Sequence, residues 1–158
     1  MCIRDRRVRP DMLTIQEAVE NFEFLGDWDE RYAYLVELGE ALPPMDESLR
    51  IEENRVHACM SKVWVCPLAD PAKHGRLVYQ GDCDTAIIKG VLALLIGVMS
   101  GRTREDILSL DLDLLFGELK LAEHLSPNRH VGIYAIVELM KNQARNTGAG
   151  STSLARTA

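Results

Sequence analysis

No stretch of the 158-residue chain approaches the ~20 consecutive apolar residues that a membrane-spanning helix requires. The most apolar run, Ala86 to Met99, is shorter and carries Lys89, so it reads as a buried core helix. Positive charge is in deficit, with 18 Lys and Arg against 24 Asp and Glu and a net charge of -6. Nonspecific nucleic-acid binding draws on a basic surface that displaces counterions, so a nucleic-acid partner is not expected. Four cysteines are too few for a disulfide scaffold in a chain this long, and a reducing, cytoplasmic setting is expected instead. Gly81, Gly90, Gly97 and Gly101 never cluster into the helix-opening turn that cradles phosphate. The arginines of the opening MCIRDRRVRP are not followed by the apolar run of a secretory signal. MCIRDR itself looks like a translated sequencing-adapter segment. Residues 1–12 are therefore read as a disordered or non-native extension, and Cys2 is given no functional weight.

What remains is ordinary for one folded domain: 47% hydrophobic and 27% charged residues. Thr14-Ile15-Gln16-Glu17 has the capping-box pattern, and Ile15, Ala18, Val19, Phe22 and Leu25 follow at helical spacing up to Gly26. Asp27 with Glu30 marks a second helix start, carried by Trp28, Tyr32, Leu35 and Val36 and stopped around Leu42-Pro43-Pro44. The period then changes. Ser61 to Cys66 and Gly75 to Gln80 are β-rich segments, with Pro67 to His74 expected as the hairpin loop. Arg55-Val56-His57 is expected to add a third strand, across a turn at Ala58-Cys59-Met60. Helical spacing returns through Ile87 to Val98, then in short helices at 103–110 and 111–119, and in a last helix opened by Ser126-Pro127. That last helix is expected to turn Val131, Tyr134, Ala135 and Leu139 inward. From Asn146 the composition falls to Gly, Ser, Thr and Ala. The expectation is a single α+β domain over residues 13–145, a small antiparallel sheet of about three strands packed against several helices, with a disordered tail at 146–158.

Function must come from particular side chains. Most carboxylates sit at helix starts or on polar faces and read as solvated. Cys66 falls on the same strand face as Trp64 and reads as a small packed hydrophobe. A zinc or iron–sulfur scaffold using Cys59, Cys66, Cys83 and a histidine is an alternative, weakened by the lack of a C-x₂₋₄-C knuckle. Cys59 differs in setting, because it lies in a short turn between extended segments, with His57 two residues before and Lys62 three after. A free thiol with a pKa near ~8.5 is only a few per cent thiolate at neutral pH, and a nearby cation raises that fraction. Spacing alone leaves a reactive Cys59 and a structural one both open.

The segment Val56-His57-Ala58-Cys59-Met60-Ser61-Lys62-Val63-Trp64 resembles the cysteine loop of the SufE family of sulfur-acceptor proteins. Trp28-Asp29-Glu30-Arg31-Tyr32 with Glu37-Leu38-Gly39, Gly81-Asp82-Cys83-Asp84-Thr85-Ala86-Ile87-Ile88-Lys89-Gly90 and His124-Leu125-Ser126-Pro127-Asn128-Arg129 resemble further family segments in the same order. The likeness runs from about Leu13 to Arg145. It implies a fold like that of SufE and of the IscU scaffold proteins. It further implies that Cys59 takes a persulfide sulfur from a pyridoxal-phosphate cysteine desulfurase (SufS- or CsdA-like) and passes it to an iron–sulfur assembly scaffold complex. The protein would then be an accessory sulfur carrier and activator rather than an enzyme. It would hold no metal or cofactor of its own, the pyridoxal phosphate belonging to the partner, and would be a monomer or weak dimer with no membrane association.

The resemblance also implies a loop tucked against an apolar surface at rest and swung outward to meet its donor. His57, Met60, Lys62, Asp84 and Arg129 become candidates for loop support or partner contact. The plainer reading of Asp84 is a helix cap, and of Arg129 a first-turn surface residue. Two positions depart from the family pattern. His57-Ala58 stands where a more polar residue and glycine are expected, and Cys83 where a small hydroxyl residue is usual. Cys83 is open to two readings: a thiol that resolves a Cys59 persulfide as a disulfide, or a packing residue.

Overall fold

The computed structural model describes residues 14–58 and 61–149. The expected extension at 1–12, the tail from residue 150 onward, and both Cys59 and Met60 lie outside the described residues. Helix α1 (Ile15–Leu25) opens on the anticipated capping box. The Thr14 hydroxyl accepts from the Glu17 amide at 3.0 Å, and the Glu17 carboxylate accepts from the Thr14 amide at 3.0 Å. Gly26, at φ 84°, turns the chain directly into α2 (Trp28–Ala41), where the Asp27 carboxylate caps the Glu30 amide at 2.9 Å. Two short 3₁₀ turns, Glu47–Leu49 and Glu52–Asn54, lead to the sheet.

Strands β1 (Val63–Ala69) and β2 (Arg76–Cys83) form an antiparallel hairpin, with Val63 opposite Cys83 and Ala69 opposite Leu77. The expected hairpin loop at 67–74 begins too early, because Pro67 is inside β1 and faces Tyr79. Its missing N–H explains how. The Val63 carbonyl accepts from the Val56 amide at 2.9 Å, and the Val65 carbonyl accepts from the Gln143 side chain at 2.7 Å. Odd-numbered peptide groups of β1 therefore point away from β2, toward the sheet edge, so a proline at 67 removes no ladder bond.

The expected third strand at 55–57 is also corrected. Arg55 makes only an isolated bridge to Trp64, since the 3₁₀ turn at 52–54 leaves too little extended chain to propagate pairing. The third strand is instead β3 (Arg102–Thr103), on the far side of β2 against Arg76 and Leu77. Gly101, at φ 77°, turns the chain back and its amide donates to the Leu77 carbonyl at 2.7 Å.

Helix α3 (Ala86–Met99) fills the core, with every residue from Ile88 to Met99 buried except Lys89. One side packs on the β2 residues Leu77, Tyr79, Gly81 and Cys83 of the inner sheet face, and the other on α2. Short helices α4 (Arg104–Ser109), α5 (Leu112–Leu119) and α6 (Leu121–His124) follow, and α7 (Pro127–Ala149) closes the chain. The expected inward face of α7 holds at Ala135 and Leu139, which pack partly buried against the core, and fails at the other two positions. Val131 and Tyr134 are 58% and 39% exposed, whereas Ile133, Ile136, Val137, Met140 and Ala144 are buried. The helix also runs through Asn146 to Ala149, into the segment expected as disordered tail. Helix hydrogen bonding propagates through small polar residues once a long packed helix precedes them.

Candidate functional site

Six residues, 57–62, connect the Arg55–Trp64 bridge to β1, and Cys59 is the third of them. Both stems of this loop are fixed. Upstream, Val56 is buried and its amide donates to the Val63 carbonyl, closing the loop base. His57 is exposed, with its Nε2 3.3 Å from a Glu52 carboxylate oxygen.

Downstream, the chain is clasped to the junction of β2 and α3. The Lys62 amide donates to Asp84 Oδ1 at 3.0 Å, and the Asp84 amide donates back to the Lys62 carbonyl at 3.2 Å. The Ser61 and Thr85 hydroxyls share a hydrogen bond at 2.6 Å, and the Thr85 hydroxyl also donates to Asp84 Oδ1 at 3.2 Å. The N-cap of α3 is Thr85, without a side-chain cap bond, so the helix-cap reading of Asp84 is replaced by a clasp on the loop stem. Arg129 is an exposed first-turn residue of α7 whose amide donates to Ser126 Oγ at 3.3 Å. No hydrogen bond or ion pair joins it to the loop stems among the described residues. Lys62 and Asp84 are thus joined at the downstream stem, His57 stands on the upstream stem beside Glu52, and Arg129 is tied to neither among the described residues.

Asp84→Ala removes the acceptor for the Lys62 amide. The expected result is a loss of about 1–2 kcal/mol in stability and several-fold faster alkylation of Cys59 by iodoacetamide, measured by denaturant unfolding and by mass spectrometry. Unchanged alkylation would show that the clasp does not restrain the loop.

The remaining cysteines have different settings. Cys83 is 7% exposed on the inner sheet face, and its sulfur accepts from the Thr85 amide at 3.4 Å. Cys66 lies on the outer face with Trp64, as expected from strand phase. Burial pushes its thiol pKa up, against a smaller lowering by the Asn54 side chain, so it is held protonated. Cys66 and Cys83 therefore point to opposite faces of one sheet. Among the described residues, no three His, Cys, Asp or Glu side chains stand together as metal ligands.

A charged network that inspection of the sequence overlooked lies under the downstream stem. Asp82, on the outer face, is ion-paired with Arg50 and lies 3.2 Å from Lys89 Nζ. Arg50 and Arg55 both approach the Trp64 ring, at 5.2 and 5.8 Å from its centroid. The signal was the pair Asp82 and Asp84, two apart at a strand end and so on the same face by alternation. Only the fold shows that one anchors the sheet and the other the loop. Burial alone would raise the Asp82 carboxyl, but hydrogen bonds from Arg50, the Cys83 amide and Lys89 outweigh it and hold the pKa below the usual carboxylate range. A depressed folded pKa gives stability that is present above the unfolded value of about 4 and is lost as pH falls through the folded one. The thermal midpoint of the wild type should fall as the pH drops below about 4. Asp82→Asn should be less stable at pH 7 and flatter in the acid range; an equal acid slope in both proteins would refute the assignment.

Fold and site together define an α+β domain with the two stems of the 57–62 connection fixed at the end of a small sheet. Residues 16–144 match the family model described as SufE, Fe-S metabolism associated domain. An uncharacterised SufE-like protein of Rhizobium meliloti (strain 1021) is 34% identical over 134 residues, covering 84% of this chain and 96% of that protein. A second, from Rhizobium etli, is 33% identical over 135 residues, covering 85% and 91%. The solution structure of a hypothetical protein from Thermus thermophilus superposes with a TM-score of 0.71 at 23% identity, over 85% of this chain and 96% of that one, a likeness of fold. The chain belongs to the SufE family, which is associated with iron–sulfur metabolism. No described helix is long and apolar enough to cross a membrane.

Proposed function

We propose that this protein is a sulfur carrier in which Cys59 accepts a sulfur atom from the persulfide of a pyridoxal-phosphate cysteine desulfurase and delivers it to an iron–sulfur assembly scaffold. The observation that carries the reading is the loop base. A six-residue segment with a cysteine near its centre is closed by Val56–Val63 and clasped by Asp84 on a rigid hairpin. Such a base fixes where the segment carrying the thiol leaves the sheet, and sulfur exchange needs close, oriented approach of one sulfur to another.

In the acceptance step the Cys59 thiolate attacks the outer sulfur of the donor persulfide. A bond forms between Cys59 Sγ and that sulfur, the donor S–S bond breaks, and the donor cysteine leaves as a thiolate. The product is a Cys59 persulfide, with no net oxidation. His57 and Lys62 are the nearest candidates in sequence for favouring the thiolate. The burial of Cys83 favours its packing role over that of a resolving thiol. The alternative of a metal or cluster scaffold is disfavoured by the opposite facing of Cys66 and Cys83, since one ion cannot take both as ligands without rebuilding the sheet.

The test is kinetic. Adding the wild-type protein to a purified cysteine desulfurase with cysteine should increase sulfide or alanine release several-fold under reducing conditions. No increase over a range of protein concentrations would reject the carrier reading. A brown, cluster-bearing product after anaerobic reconstitution would favour the scaffold alternative instead.

A further inference from the structure

The cations around the loop fall into two groups. Arg50 is paired with Glu47 and Asp82, Lys89 with Asp82, and His57 with Glu52. Arg55 and Lys62 have no carboxylate partner among the described residues. Arg55 leads into the upstream stem and Lys62 ends the downstream one, so an unpaired cation stands on each side of the cysteine segment. The Arg55 guanidinium lies against the Trp64 ring.

We infer that Arg55 and Lys62 are docking cations for carboxylates on the sulfur-donating partner, flanking the point where its persulfide meets Cys59. This deepens the carrier reading and rests on it. Charge complementarity fixes the partner's chemistry. The chain has a net charge of -6, and residues 17–53 hold twelve Asp and Glu against two arginines. An acidic partner surface is repelled by helices α1 and α2 and attracted at the loop stems, which selects the orientation that delivers the loop. Arg55 is preorganised for this role. Its stem is fixed by the strand bridge and its side chain is braced by the Trp64 ring, so less freedom is lost on pairing. A guanidinium also suits bidentate carboxylate recognition. Lys62, exposed and flexible, supplies a second point charge rather than a geometric fit.

The experiment uses the full chain and the desulfurase that loads Cys59 in the kinetic assay. Affinity is measured by isothermal titration at low and at physiological salt for wild type, Arg55→Gln/Lys62→Gln, Lys62→Glu, and Lys73→Gln as a control in the exposed β1–β2 connection. The double variant should bind about tenfold more weakly at low salt and should lose most of the wild-type salt dependence. Lys62→Glu, at an exposed position that does not endanger folding, should weaken binding at least as much as loss of its charge alone. Lys73→Gln should match wild type. Wild-type affinity and salt dependence in the double variant and in Lys62→Glu, while Cys59 is still loaded with sulfur, would overturn this inference and leave the carrier reading standing. Failure of the wild type to take up sulfur would overturn both.

Discussion

Gly90→Ala is expected to destabilise the protein by about 3 kcal/mol or more, lowering the thermal midpoint by roughly 10 °C. A Cβ on Gly90 would overlap the Leu35 carbonyl group, well inside van der Waals contact, because α2 and α3 cross backbone against backbone at this point. Gly39 is the facing residue, and a Cβ there would lie 3.0 Å from the Gly90 amide nitrogen. The obstructing atoms are backbone, so no rotamer change relieves the contact and the helices themselves must separate. Helix α3 is the core of the domain and also leads directly from Asp84 and Thr85, so its displacement reaches the loop clasp. Gly117→Ala is the matched control. It lies within α5 with no atom within 4 Å of an added Cβ, and alanine there should stabilise by about 0.5–1 kcal/mol. Denaturant unfolding of both variants decides the point. A Gly90→Ala protein as stable as wild type would mean the two helices are not packed this closely.

Cys59→Ser should abolish sulfur uptake and stimulation of the desulfurase while leaving the stability within about 1 kcal/mol of wild type. Serine is close to cysteine in size and shape, but its hydroxyl is not ionised at neutral pH and cannot hold a persulfide. Cys66→Ser should keep full transfer, because the thiol it replaces is held protonated on the outer sheet face, seven residues beyond the active position. Cys83→Ser should also keep transfer, at some cost in stability because the residue is buried on the inner sheet face opposite Val63. Retention of stimulation by Cys59→Ser, or its loss in Cys66→Ser with the fold intact, would place the chemistry elsewhere.

Much of this architecture was legible residue by residue. Thr14 and Asp27 announced the first two helices because capping is a local exchange of hydrogen bonds, readable from four consecutive residues. The apolar run after Thr85 announced the central helix. What escaped depended on contacts distant in sequence. Pro67 argued for a loop, and only the partners of its neighbours, Val56 and Gln143, reveal that its side of β1 needs no donor. The two-residue strand β3 has no periodicity to detect and exists because Gly101 returns the chain to Leu77. In α7, Val131 and Tyr134 looked like core and are exposed, because the helix phase is set by packing near Ile133, Ile136 and Met140.

The candidate site divides the same way. Cys59 stood out by its setting and by its likeness to the SufE cysteine loop. Asp84 was visible as a residue and not as a clasp, since its partner Lys62 lies twenty-two positions earlier. The pairing of Asp82 with Arg50 spans thirty-two positions and left no pattern to read.

The most direct test is to incubate the wild-type protein with a cysteine desulfurase and cysteine, quench by alkylation and locate added sulfur by peptide mass spectrometry. The account predicts one extra sulfur atom on the peptide containing Cys59, removed by reductant and absent when cysteine is withheld. Sulfur found only on Cys66 or Cys83, or on no cysteine of the chain while the desulfurase turns over, would contradict it.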